Sequence, residues 1–92
     1  MIFHLPAGES PAALQAAHPE APFTDLPEYV AYKTGRAAAE LEAEAPEHFR
    51  MIEEEALRDL VVMSEITGTP RIVRLGASTL DNPECRRLLG VI

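Results

Sequence analysis

The 92-residue chain carries 15 acidic and 8 basic residues, a formal charge of −7, and its 47% of hydrophobic residues includes 14 alanines. That supplies one modest core and no more, and no apolar run approaches the roughly 20 residues of a membrane helix. Phosphate neutralisation needs clustered Lys and Arg, which are outnumbered here, so nucleic acid is not an expected partner, and the single Cys85 excludes an internal disulfide or a Cys-pair zinc or redox motif.

The chain reads as one small domain in three segments of charge −3 (1–27), −6 (28–66) and +2 (67–92). The first holds five of the eight prolines. Ile2 to Leu5 suits a short edge strand closed by Pro6-Ala7-Gly8. Ser10-Pro11 starts a brief helix to about Ala17, stopped by His18-Pro19. Residues 18–26 read as an irregular connection. The segment is either a mobile arm or an ordered strap. Phe3, Leu5, Leu14, Phe23 and Leu26 favour the strap, because an arm would leave them in water. No basic leader precedes an apolar stretch, so a cytoplasmic location with a reduced thiol is expected.

In the second segment Asp25 stands three residues before Glu28, a capping spacing. A helix follows to about Glu44 with a thin, Ala-rich face, and Gly35 marks a kink or a break after Thr34. Pro46 ends that helix and starts the next, which runs to about Ile66. Phe49, Ile52, Ala56, Leu60 and Met63 recur at three and four, widened by Leu57 and Val61, and so form its buried stripe. Glu53, Glu54, Glu55 and Asp59 are expected mostly on the solvated side, with Arg50–Glu54 and Glu54–Arg58 as helical pairs. Thr67-Gly68 supplies a left-handed cap.

In the third segment the β-branched run after Pro70 predicts a strand ending at Gly76, suited to pairing with Ile2 to Leu5. Asn82-Pro83-Glu84 then caps a last short helix that Gly90 stops. The expected fold is mainly α: a small bundle of three to four helices, with at most a minor two-stranded β pairing of the terminal segments.

Four groups of residues carry candidate chemistry. Glu44, Glu47 and His48 offer carboxylate and imidazole to a metal, but Pro46 lies between them, so they need not share a helical face, and the ordinary reading is a solvated acidic helix start with a surface His. The acids Glu53, Glu54, Glu55 and Asp59 could dock a basic partner surface, or simply be a solvated face. Arg71, Arg74, Arg86 and Arg87 could contact an anion, or pair with the acidic helix. Cys85 sits near Arg86 and Arg87, but a lone Cys is more often a small apolar core residue. The glycines are too scattered for a phosphate loop, and no catalytic set or cofactor is assigned. The expected function is therefore a non-enzymatic accessory, adaptor or regulatory protein that docks another protein through its helical surface, with homodimerisation expected. The alternatives are a small metal-dependent or acid/base enzyme using the Glu44, Glu47 and His48 region, and an inhibitor that mimics nucleic acid by charge.

Overall fold

In the computed structural model, which describes residues 1–91, three short strands form a parallel sheet and five helices surround it. The protein is 59% helical and mainly α. The elements in chain order are β1 (Ile2–Leu5), α1 (Ala12–Ala17), β2 (Phe23–Asp25), α2 (Leu26–Thr34), α3 (Ala38–Glu44), α4 (Pro46–Thr67), β3 (Arg71–Arg74), a 3-10 turn (Thr79–Asp81) and α5 (Pro83–Leu89). No helix among the described residues is long and apolar enough to cross a membrane.

The pairing of the terminal segments forms as expected, with Ile2 opposite Arg71 and Leu5 opposite Arg74. The third strand was not expected. Residues 23–25 fall in the stretch that reads as an irregular connection, yet Phe23 pairs with Ile72 and Asp25 with Arg74. The prolines at 19 and 22 hide the strand in the sequence. Pro22 takes part through its carbonyl, which accepts from Ile72 N at 2.9 Å and needs no N–H of its own. The order is β1-β3-β2, so β3 is central. Central parallel strands are covered on both faces, and both Ile72 and Val73 are fully buried.

The two faces differ. Val73 joins the main core with Leu26 and Val30 of α2, Leu41 of α3, and Phe49, Ala56, Leu57 and Leu60 of α4. Ile72, its neighbour in the strand, points the other way. It lies in register with Phe3 and Phe23. Phe3 stacks on His18 at the end of α1, with ring centroids 4.3 Å apart, and the Arg74 guanidinium covers Phe23 at 5.3 Å.

Local signals set the helix ends. Asp25 accepts from Glu28 N at 3.1 Å and caps α2. Gly35, with φ 71°, ends it, so the long second helix of the sequence reading is two helices. The residue must be left-handed there, and Gly adopts that region without the Cβ clash of other residues. α4 starts at Pro46 and closes on Gly68 in the same conformation. Asn82 caps α5 through Glu84 N at 3.1 Å. The stripe of α4 holds for Phe49, Ala56, Leu57 and Leu60, all buried. Glu53 departs from expectation. It is only 2% exposed, because the face runs 49, 53, 56, 60, 64 at spacings of four and three.

Candidate functional site

β3 ends at Arg74, and the chain then runs through Leu75-Gly76-Ala77-Ser78 into the 3-10 turn and the cap of α5. This loop, α3 and α4 enclose a cavity of about 200 Å³ lined by Glu42, Phe49, Arg50, Glu53, Ser78, Asp81 and Asn82. It lies beyond the carboxyl end of a parallel strand, where ligands bind in open α/β sheets.

Glu53 anchors the wall. Its Oε2 accepts from Thr79 Oγ1 at 2.9 Å, and Thr79 Oγ1 in turn accepts from Gly76 N at 2.9 Å. A Cβ on Gly76 would stand 3.3 Å from both Pro27 Cγ and Thr79 Oγ1, tighter than ordinary contact. The glycine is what lets the loop lie against the α2 start and hold Thr79 over the carboxylate. Burial pushes the Glu53 pKa up. The hydrogen bond from Thr79 opposes the rise, as does the nearby Asn82 amide, and the charges of Glu42 and Glu54 add to it. On the opposite side Ser78 Oγ donates to Glu42 Oε2 at 2.6 Å.

Two groups of the wall are unfilled. Asn82 is 3% exposed; its Oδ1 caps α5, while its Nδ2 is buried and makes no hydrogen bond. Although Asn82 lies close enough to influence the Glu53 carboxyl, its amide N–H2 is left over. Such a group costs on the order of 1–3 kcal/mol unless something accepts from it. Arg50, on the rim, makes no ion pair or side-chain hydrogen bond among the described residues; the expected Arg50–Glu54 pair does not form. The arrangement thus presents carboxylate acceptors, one hydroxyl, one amide donor and one guanidinium to a compact space.

The residues singled out from sequence distribute elsewhere. Glu44 pairs with Arg36, while Glu47 and His48 are exposed at the start of α4. Among the described residues no three of His, Cys, Asp and Glu come together as a metal cluster. Of the acidic docking group, Glu53 is a correction: it faces inward and touches no outside surface. Glu55 and Asp59 receive Lys33 Nζ at 3.2 and 2.5 Å, which ties α2 to α4, and Glu54 stays half-buried. The four arginines form no common patch. Arg71 Nη1 donates to Thr24 Oγ1 at 3.0 Å and Arg74 Nε to Asp25 Oδ2 at 2.7 Å. Arg86 Nη1 donates to the Leu80 carbonyl at 2.6 Å, and Arg87 grips both oxygens of Glu84. Contact with the acidic helix runs the other way, from Arg58 of α4 to Glu84 of α5 at 3.0 Å. Bonding from Arg87, then Arg58, holds the Glu84 pKa down to about 2.

Cys85 is fully buried, and burial pushes its thiol up to about 12. The thiolate is the reactive form. Maleimide at pH 7 is therefore expected to leave Cys85 unmodified in the native chain and to label it in denaturant. Rapid labelling of the folded protein would contradict the buried placement.

No protein-family model matches the chain. No curated protein matches it either. What the fold and the cavity define is a small, mainly α protein with three parallel strands and a polar site at their carboxyl edge.

Proposed function

We propose that this protein binds a compact, hydroxylated carboxylic acid in the cavity between α3, α4 and the loop after β3. The observation that carries the reading is the juxtaposition of two unfilled donors, Arg50 and Asn82 Nδ2, with the buried carboxylate of Glu53. A guanidinium free of protein partners matches a carboxylate in a bidentate fork. Glu42, Glu53 and Asp81 are acceptors and favour hydroxyl donors on the same ligand. Hydroxyl donors satisfy the buried Glu53 carboxyl without bringing a further charge into the cavity. The volume, about 200 Å³, is below that of drug-sized pockets, so the ligand is small. The cytoplasm, with its supply of such acids, is the proposed compartment.

The test is a panel of small hydroxy acids at millimolar concentration, followed by thermal shift and calorimetry, with amino acids as the comparison. A hydroxy acid at 100 times its Kd is expected to stabilise the fold by about 2.7 kcal/mol. Arg50→Ala is expected to remove that gain while leaving the unliganded Tm within about 2 °C of the wild type, since Arg50 has no partner to lose. Equal binding by Arg50→Ala, or preference for amino acids, would reject the proposed ligand class.

A second reading is an accessory or regulatory protein that docks another protein through its helical surface. It is favoured by the exposure of Met51, Val62 and Ile66 on α4.

A further inference from the structure

The outer face of α4 has its own pattern. His48, Met51, Glu55, Arg58, Val62 and Glu65 are all exposed and follow spacings of three, four, three, four and three. They line one continuous face of α4, a seam in the three-and-four spacing by which two helices meet at a shallow angle. Met51 and Val62 are 65% and 43% exposed, and Ile66 beside the seam is 79% exposed. Among the described residues, none buries these side chains.

We propose that this seam is a homodimer interface, with α4 antiparallel to α4 of a second copy. The argument is self-complementarity. A two-fold axis between residues 56 and 57 sets His48 opposite Glu65 of the second copy, Met51 opposite Val62 and Glu55 opposite Arg58. Every seam residue then meets a matching one, and symmetry makes each pair twice. Moving the axis by half a turn of helix destroys the match; centred on residue 58, for example, it stacks Arg58 on its own copy. A second copy is therefore favoured over a generic basic partner, because the seam carries both signs and two apolar positions in a palindromic order. Glu55 also contacts Lys33, and Arg58 also contacts Glu84. Glu55 is held by Lys33 through one oxygen alone, and Arg58 has further N–H donors, so the new contacts add to the old. The interface rests on a different face from the cavity and does not depend on the ligand reading.

The experiment is sedimentation and native mass spectrometry of the whole chain over a concentration series. The wild type is expected to populate a species of twice the 10.1 kDa chain mass. Glu55→Arg sets Arg against Arg58 of the second copy, and Arg58→Glu sets Glu against Glu55. Each is expected to raise the dimer Kd about tenfold or more. The double variant Glu55→Arg with Arg58→Glu restores the opposite-sign pairs and is expected to recover most of the affinity. Circular dichroism of all three controls for folding. The proposal is overturned by a wild type that stays monomeric up to about 1 mM, by a dimer indifferent to the single reversals, or by failure of the double variant to recover. In the first case, cross-linking from position 51 to a different protein would assign the face to that partner instead.

Discussion

Leu60→Asp is expected to abolish the cooperative thermal transition of this protein. Leu60 is 1% exposed, in the middle of a 22-residue helix, and belongs to the cluster that includes Leu26, Val30, Leu57 and Val73. The substitution removes a buried isobutyl group, which alone costs about 2–5 kcal/mol in comparable cores. It also puts a carboxylate into an apolar cluster, and a buried charge without a partner costs several kcal/mol more or forces protonation. A domain of this size has about 5–15 kcal/mol in total. The two losses together are of that order, so the native state does not survive. Val62→Asp is the control on the same helix. Val62 is 43% exposed, and its replacement is expected to leave the monomer folded while weakening self-association. Far-UV circular dichroism against temperature reads both. A Leu60→Asp melt within about 5 °C of the wild type would mean that α4 presents a different face to the sheet.

The contrast between positions 60 and 62 was open to sequence reading, and so was most of α4. A long helix with a bulky stripe, a Pro start and a Gly stop carries several mutually consistent signals. β3 and α5 were legible for similar reasons: β-branched residues between Pro70 and Gly76, and the Asn82-Pro83-Glu84 start. β2 was not. Three residues are too few for an alternating pattern, and pairing with β3 comes from residues almost 50 positions away. Glu53 was hidden by a different bias. As the first of three consecutive glutamates it reads as part of a solvated face. Yet its place four after Phe49 and three before Ala56 puts it on the buried side. A carboxylate at an otherwise apolar position of a regular stripe was the signal, and its residue type outweighed its spacing. Asn82 was read correctly as a cap; that its second polar atom lines a cavity depends on tertiary contacts with α4 that no local pattern carries.

Glu53→Gln is expected to make the protein more stable at pH 7 and less able to bind the proposed hydroxy acid. Burial raises the carboxyl pKa above the ordinary value of 4.5. The folded chain therefore holds the Glu53 proton more tightly than the unfolded chain. By linkage, stability is greatest below the ordinary value and falls as pH rises through the interval up to the raised one; above that interval the wild type carries the full cost of a buried charge. Gln has nearly the same shape and no charge, and its Oε1 accepts from Thr79 Oγ1 as the carboxylate does. The gain at neutral pH is read as a rise in Tm, about 4–8 °C for each kcal/mol gained. It should shrink as the pH is lowered to 4, where the wild type is itself protonated. Glu53→Ala separates charge from shape. It leaves a void and strips Thr79 of its acceptor, and is expected to cost about 2–4 kcal/mol at every pH. Chemical denaturation of the three proteins at pH 4 and pH 7 measures both effects. A Gln variant no more stable than the wild type at pH 7 would mean that Glu53 is already compensated, and would remove the reason for a ligand there. The expected pattern, stability gained together with binding lost, is that of a buried charge kept at the expense of the fold for what it contacts.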